Sequence, residues 1–420
     1  MNTKQLLKRF INVREKTVSL CQNLEIEDFV VQPNDEVSPI KWHLGHTSWF
    51  FEEIILSKLK NNFIRYNNTY NTIFNSYYKS LGEHWHQTLR GQLSRPTVSE
   101  IYKYREYINK EIENIISNTN DKDISFLLEL GINHEEQHQE LILMDIKFIL
   151  NINLDKICYF KNKLPKINPK YKQWKIFKEG IYHIGAANKV FSYDNEKPKH
   201  KVYIHSFKIN TQFVTNNEYK KFIDSNGYQK PEFWLSKGWD WVNKNNIISP
   251  KYWDINNKNN IKEFTLHGMR ALDGNAPVCH INYYEASAYA KWAKSRLPTE
   301  QESEIFLDEI TSENNNLNID PYIYHPVDIN RVKNNLWWWT KSHYSSYPEY
   351  KPFQNNIEEY NGLRDESSLL EHFKENPNNK KKKKKIKKKT RRKPMRMRKI
   401  QGGTKKMRKT KKNGLFSFLF

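Results

Sequence analysis

Two histidines four residues apart, His134 and His138, lie in an apolar-periodic segment that covers residues 124–150. On an α-helix, residues four apart share one face, so both imidazoles can point at a single site. Imidazole is the commonest metal ligand near neutral pH and suits iron, zinc, copper and nickel. Such a pair is also a common surface or core feature of helices, and two ligands bind a metal weakly. A metal site here therefore requires a third ligand from elsewhere in the chain.

The residues from His134 to His138 fit two kinds of metal site. They match the H-E-x-x-H pattern of zinc peptidases, in which Glu135 would be the general base. They fit equally well a helical bundle whose third ligand comes from a facing helix. The spacing alone leaves both interpretations open.

A second pair, His43 and His46, lies in another segment of helical character. These residues are three apart and share roughly one face of a helix. One of them, combined with His134 and His138, would complete a three-histidine site with open coordination positions. Such a site is expected for a metal that must also bind substrate or dioxygen.

Four long helices are predicted to position these histidines. The first two cover residues 3–23 and about 40–59. The third begins at a capping box formed by Thr97 and Glu100, and the fourth covers residues 124–150. Four helices joined by polar segments in the first third of the chain indicate a four-helix bundle.

Beyond Lys172 the pattern changes from helical to mixed. Short strand-like segments come first, helical segments follow, and turn signals and many aromatic residues lie between them. This pattern predicts a compact mixed α/β domain with long loops, and thus an α plus α/β protein overall. The predicted strands cover residues 180–185, 201–204 and 207–209, and the predicted helices cover about 215–225 and 281–295.

The charge of the chain is concentrated at one end. The formal net charge is +22, and residues 380–412 contain 21 Lys and Arg without any acidic residue, so the remainder is nearly neutral. This low-complexity tail is predicted to be disordered and to bind nucleic acid or other polyanions by counterion release. A nuclear address or a solubilising extension is an alternative for the same residues.

Composition also limits the class of protein. A chain of 420 residues has room for two or three domains, and 14% aromatic residues favour a folded protein with pockets. Three scattered cysteines are too few for a disulfide framework or a cysteine-rich zinc site and favour a reducing compartment, here the cytoplasm. Neither a secretory signal nor a transmembrane segment is expected from the apolar pattern.

Two motifs in the first half resemble a known family. The sequence SPIKWHLGH of Ser38–His46 and the sequence HEEQHQE of His134–Glu140 resemble the DinB-like metal-binding bundle of ergothioneine-type sulfoxide synthases. The second half resembles the formylglycine-generating-enzyme-like (sulfatase-modifying factor) domain, a C-type-lectin-like fold, that follows the bundle in that family. The stretches that carry this second resemblance are Phe191–Pro198, Val214–Tyr219, Tyr228–Ser236, Pro277–His280, Arg296–Glu300 and Leu336–Thr340.

The resemblance implies a non-haem Fe(II) enzyme. Such an enzyme uses dioxygen to join a thiol, γ-glutamylcysteine or cysteine, to the imidazole of hercynine and gives a sulfoxide. It implies that iron is bound by His46, His134 and His138, which leaves His43 as a packing or outer residue. The predicted domains are the bundle at 1–172, an incomplete second domain at 173–375 and the basic tail at 376–420.

Further site residues follow only from the resemblance. Gln137 matches a position that contacts hercynine. Arg90 and Arg95 match arginines that bind the carboxylates of the thiol substrate, for which a bidentate guanidinium is well suited. Either Tyr344 or Tyr347 matches a tyrosine that can donate a proton or hydrogen atom.

The resemblance ends near residue 362, before the last strands and a substrate-binding turn of the family, and Trp338 replaces its usual Glu. The second domain is therefore predicted to close differently, to be completed by a partner, or to have lost substrate binding. Two alternatives to the synthase remain. One is an inactive descendant that binds polyanions through the tail, and the other is a zinc-dependent thiol transferase, which metal identity would distinguish.

Overall fold

The computed structural model shows a helical half followed by a mixed half of short strands and helices, which confirms the predicted fold class. Among the residues that the structure describes, no helix combines the length and the apolarity needed to cross a membrane. The predicted disordered tail and the end of the predicted second domain lie outside the described residues. The structure describes residues 3–59, 62–76, 78, 81–118, 122–165, 167, 173–187, 191–257, 259–313, 324–326, 336–351 and 353.

The helical half is a four-helix bundle, as predicted. Its long helices are α1, α2, α5 and α6, and both α1 and α2 pack against α5 and α6. Their apolar faces form one continuous core that includes Phe10, Leu44, Ile108 and Ile146. The helices of this half are α1 (Thr3–Ser19), α2 (Ile40–Phe51), α3 (Ser57–Leu59), α4 (Asn68–Phe74), α5 (Val98–Asn118) and α6 (Lys122–Ile152).

The start of α5 confirms the predicted capping box. The Thr97 N–H donates to Glu100 Oε2 over 2.7 Å, and the Glu100 N–H donates to Thr97 Oγ1 over 3.2 Å. These two bonds satisfy N–H groups that the first turn of a helix leaves without backbone partners. The helix therefore begins where the sequence predicts.

Helix α2 is buried on all sides, so its polar residues lie inside the bundle together with its apolar ones. It continues into a π-helical turn, Glu52–Leu56, before α3. Two glycines allow its neighbours to approach closely. A Cβ atom on Gly45 would lie 2.2 Å from the Phe74 ring of α4, and a Cβ atom on Gly131 of α6 would lie 2.6 Å from the Phe51 ring. Helix α4 can therefore lie directly against the histidine-bearing turn of α2, and α6 can lie directly against its last turn.

In its described residues, the mixed half has three small antiparallel sheets with helices around them. Strands β1 and β4 pair, β2 and β3 pair, and β5, β6 and β7 form a three-stranded sheet. The sequence predicts β2, β3, β4, α7 and α9 but not the others. The strands are β1 (Trp174–Phe177), β2 (Gly180–Ile184), β3 (His200–Ile204), β4 (Phe207–Asn210), β5 (Trp253–Asp254), β6 (Lys262–Thr265) and β7 (Gly268–Ala271), and the helices are α7 (Asn216–Asp224), α8 (Ser236–Asn245), α9 (Tyr283–Trp292) and α10 (Glu300–Glu313).

The two halves meet along α6. Lys147 Nζ donates to His280 Nε2 over 2.7 Å and lies 4.5 Å from the centre of the Tyr252 ring. Nearer the middle of α6, the Trp337 indole N–H donates to Glu140 Oε2 over 3.0 Å. Burial lowers the pKa of Lys147 from 10.5 to about 8. An ammonium group can only donate, so His280 Nε2 accepts this hydrogen bond.

Lys147 is expected to make stability depend on pH in a defined window. Because its folded pKa of about 8 lies below the unfolded value of 10.5, the unfolded chain holds more protons between these values. Stability should therefore rise from pH 8 to pH 10.5. Between pH 8 and pH 10, urea unfolding should show that wild type gains about 2–3 kcal/mol relative to Lys147→Met. Lys103→Met, an exposed lysine of α5, is the matched control, and equal pH slopes in wild type and Lys147→Met would contradict the prediction.

Candidate metal centre

Three buried histidines from two helices converge in the bundle. His46 comes from α2, and His134 and His138 come from successive turns of α6. One ring nitrogen of each lies within 4.8 Å of the others, and the His46 and His134 Nε2 atoms are 3.2 Å apart. Each of the three residues is at most 7% exposed. Of the two candidates on α2, His43 and His46, it is therefore His46 that lies in the cluster.

The backbone of α4 orients His46. Its Nδ1 lies 2.6 Å from the carbonyl oxygen of Phe74. A carbonyl oxygen accepts and does not donate, so Nδ1 carries the proton and Nε2 carries a lone pair. The close approach that Gly45 allows is what brings this carbonyl to the ring. The lone pair of His46 therefore points toward the other two histidines.

One outer residue, His43, contacts the third histidine and is itself bonded to Asp145. His138 Nδ1 lies 2.9 Å from His43 Nδ1, and His43 Nε2 lies 2.9 Å from Asp145 Oδ2. The same carboxylate oxygen accepts the Ser38 N–H over 3.0 Å. The predicted role of His43 as a packing or outer residue is therefore compatible with its position beside His138.

The electrostatics of the cluster suit a metal cation. Burial holds the pKa of His46, His134 and His138 well below 6.5, and each ring also lies beside another imidazole. Neutral imidazole is the form that binds metals. A metal ion binds imidazole nitrogens at about 2.0–2.1 Å. Two such nitrogens at right angles about one ion would lie about 3 Å apart, which is close to the 3.2 Å between His46 Nε2 and His134 Nε2. The donor set fits a divalent metal of the iron or zinc kind.

Aromatic rings enclose the cluster. Trp42 stacks on His46 with ring centres 4.6 Å apart and an interplanar angle of 9°, and Trp49 stacks on the same ring at 5.4 Å. Phe50 stacks on His134 at 4.1 Å. These contacts restrict rotation of the imidazoles and keep the surroundings of the nitrogens apolar.

Glu135 does not belong to the cluster. Its two carboxylate oxygens each lie 2.8 Å from a guanidinium nitrogen, one of Arg14 and one of Arg105, and all three side chains are at most 2% exposed. Burial alone would raise the pKa of Glu135, but the two guanidinium groups outweigh burial and lower it. The carboxylate is fully engaged in an ion-pair network, so it does not provide the general base of a zinc peptidase.

The structure places the two predicted arginines differently. Arg90 is buried, its guanidinium carbon lies 3.3 Å from the centre of the Trp42 ring, and it donates to Ser38 Oγ over 2.8 Å. Among the described residues its Nε has no hydrogen-bond partner. Burial lowers the pKa of Arg90 to about 9. Arg95 is exposed and donates to the carbonyl of Ser94.

The remaining predicted site residues lie in both halves. Gln137 is half-buried on α6, next to His138. Tyr344 is at the surface, and its hydroxyl accepts a 2.7 Å hydrogen bond from the Asn195 amide. Tyr347 is buried and donates to Glu300 Oε1 over 2.9 Å. Both hydrogen bonds are therefore made within the second half of the chain.

Sequence reasoning missed Asp145 and the Phe74 carbonyl. A signal for Asp145 was present, because it follows His138 by seven residues and thus lies two turns later on the same face of α6. The Phe74 carbonyl has no such signal, since a backbone acceptor is available in every residue and only the packing of α4 selects this one.

Comparisons with known proteins give one matching family model and several similar proteins. Residues 163–365 match the family model described as the sulfatase-modifying factor enzyme 1-like domain. Hercynine oxygenase from Mycolicibacterium smegmatis is 32% identical over 193 residues, which are 44% of this chain and 42% of that protein. Ergothioneine biosynthesis protein 1 from Schizosaccharomyces pombe is 26% identical over 180 residues, which are 39% of this chain and 20% of that protein. The formylglycine-generating enzyme from Bos taurus is 27% identical over 136 residues, 30% of this chain and 36% of that protein. The chain spans less than half the length of the hercynine oxygenases that it matches.

Proposed function

We propose that this chain, which carries a sulfatase-modifying factor enzyme 1-like domain and is homologous to hercynine oxygenases, is an iron(II)- and dioxygen-dependent sulfoxide synthase. The reaction would join a thiol, γ-glutamylcysteine or cysteine, to the imidazole carbon of hercynine. One C–H and one S–H bond break, a C–S and an S=O bond form, and dioxygen takes up four electrons to supply the sulfoxide oxygen and one water. The observation that carries the proposal is the convergence of three buried, neutral imidazoles.

His46, His134 and His138 would hold the iron. Iron, when bound there, supplies the reduction of dioxygen and lowers the pKa of a coordinated thiol. The aromatic rings around the cluster exclude water from the reacting groups. Gln137, on the same helix as two of the ligands, would contact hercynine, and either Tyr344 or Tyr347 would supply a proton at its hydroxyl.

Arg90 would bind a carboxylate of the thiol substrate. It is buried near the cluster, and its positive charge contributes to the lowered pKa of His46 and His138. A guanidinium that is buried with an unused N–H is costly unless an anion compensates it. A substrate carboxylate would provide this compensation through charge-assisted hydrogen bonds.

Anaerobic reconstitution with Fe(II) tests the proposed reaction. Oxygen uptake and product mass would be followed with hercynine plus either cysteine or γ-glutamylcysteine. Coupled oxygen uptake and a sulfoxide product support the synthase. Tight iron binding without product from either thiol contradicts it, and thiol transfer that requires zinc and consumes no oxygen would favour the thiol transferase.

Replacement of Arg90 by methionine is expected to weaken thiol binding selectively. Loss of hydrogen bonds to a charged group costs about 1.5–3 kcal/mol, so the KM for the thiol should rise about 10–100-fold with little change in the KM for hercynine. Arg95→Met, at the exposed arginine, is the matched comparison. Equal KM increases in both variants would show that the two arginines act together, as the resemblance implies. An unchanged thiol KM in Arg90→Met at full iron content would contradict the role of Arg90.

A cytoplasmic location is part of the same proposal. The three cysteines are unpaired, as expected in a reducing compartment. Cys279 is half-buried beside Lys147, and burial raises the pKa of its thiol to about 12, which favours the protonated thiol over the thiolate.

A further inference from the structure

A chain of two hydrogen bonds leads away from His138 to a carboxylate. His138 Nδ1 is 2.9 Å from His43 Nδ1, and His43 Nε2 is 2.9 Å from Asp145 Oδ2. We propose that Asp145 and His43 are positioning residues that place the proton of His138 on Nδ1 and so present its Nε2 lone pair to the metal. The inference rests on the proposed metal site, but not on the identity of the reaction.

The assignment of protons follows from the order of the groups. Asp145 Oδ2 accepts the backbone N–H of Ser38 as well as a bond from His43, so it acts as an acceptor in both contacts. His43 therefore donates from Nε2, and in a neutral ring this leaves Nδ1 as an acceptor. The atom that faces this acceptor is His138 Nδ1, which must then carry the proton. The Nε2 atom of His138 remains as its only metal-binding nitrogen.

The same result is reached for His46 by a simpler route. There a single backbone carbonyl, that of Phe74, fixes the proton on Nδ1. His138 lies in the middle of α6, where backbone carbonyls are used within the helix. A side-chain acceptor is therefore needed, and His43 reaches it from α2 with Asp145 behind it. Ligating histidines generally donate their second N–H to an acceptor of this kind, which orients the ring and raises its basicity.

The fold explains why these residues can meet. Asp145 follows His138 by seven residues on α6, and His43 precedes His46 by three residues on α2. Both outer residues therefore project from the faces that carry the ligands. His43 is 2% exposed, and the Asp145 side chain is 15% exposed, so water competes little for the bonds between them.

The test measures metal binding without turnover. Apo-protein would be titrated with Co²⁺, whose visible absorption reports both affinity and ligand geometry, and unfolding of the apo-protein by urea would be measured in parallel. His43→Leu and Asp145→Ala are each expected to weaken Co²⁺ binding about 10–100-fold and to change the absorption spectrum. The double variant should lose no more Co²⁺ affinity than the more strongly affected single variant, because both residues act through one chain of hydrogen bonds.

Two further variants keep the test informative if the first ones fold poorly. His43→Asn places an amide oxygen near the position of Nδ1 and should retain most of the affinity, whereas His43→Leu should not. His86→Leu, at an exposed histidine, is the control. Variants that lower stability but leave the Co²⁺ affinity and spectrum unchanged would overturn the proposal and leave His43 as a structural link between helices.

The outcomes also separate this inference from the proposed function. A wild-type protein that binds Co²⁺ and Fe(II) but forms no sulfoxide would remove the synthase and leave the positioning role intact. Product formation with unchanged metal affinity in His43→Leu and Asp145→Ala would remove only the positioning role. A wild-type protein that binds neither metal would overturn both.

Discussion

Replacement of His134 by alanine is expected to abolish tight metal binding and, with it, sulfoxide formation. His134 supplies one of three nitrogens in the cluster, and its Nε2 lies 3.2 Å from that of His46. A bidentate remnant holds a metal poorly, so affinity should fall by more than the ~10–100-fold expected when an outer residue is removed. Equilibrium dialysis with Fe(II) under argon, followed by metal analysis, measures the loss.

Thermal unfolding gives a second measurement of the same effect. A ligand that binds only the native state stabilises it, by about 2.7 kcal/mol at a concentration 100 times its Kd. Metal should therefore raise the Tm of wild type and leave that of His134→Ala unchanged. His86→Ala, at an exposed histidine, should behave as wild type. Retention of both the metal and the Tm shift in His134→Ala would exclude this cluster as the metal site.

Replacement of Glu135 by alanine is expected to destabilise the bundle severely. The carboxylate bonds Arg14 and Arg105, and its removal leaves two guanidinium groups buried without their common counter-ion. Breaking a buried ion pair in this way costs about 3–5 kcal/mol. Urea unfolding monitored by far-ultraviolet circular dichroism would measure the loss. If the variant is insoluble, Glu135→Gln, which retains one acceptor, gives a smaller loss that can still be measured.

Glu136→Ala is the matched control at the adjacent position. Glu136 pairs with Arg9 over 3.0 Å, but these side chains are 42% and 28% exposed. An exposed pair contributes about 0–1 kcal/mol, so this variant should be nearly as stable as wild type. Equal losses at the two positions would show that the buried network contributes no more than a surface pair.

Sequence reasoning predicted the bundle well because its signals are local. The capping box of α5, the apolar period of α6 and the two histidines at i,i+4 all lie within a few turns of one helix. His46 was assigned as the third ligand only through the family resemblance, since the spacing left His43 and His46 equivalent. The structure separates them, because His46 lies beside His134 and His43 lies between His138 and Asp145.

The features that sequence reasoning missed depend on long-range packing. Lys147 and His280 are 133 residues apart, and nothing in either local pattern indicates their contact. The ion-pair network of Glu135 joins residues from α1, α5 and α6, so its arginines looked like ordinary helix charges. Strands β5 to β7 are only two to four residues long, too short for an alternating pattern to identify.

Helix α6 carries both the candidate metal ligands and a contact to the second half of the chain. It is 31 residues long, about 46 Å, and it carries both the metal ligands and the lysine that contacts the second half. Only nine residues, about 14 Å, separate His138 from Lys147, so the two positions lie within three turns of one helix. If metal binding and docking of the second half are coupled through this helix, thermodynamic linkage requires each of them to change the equilibrium constant of the other by the same factor.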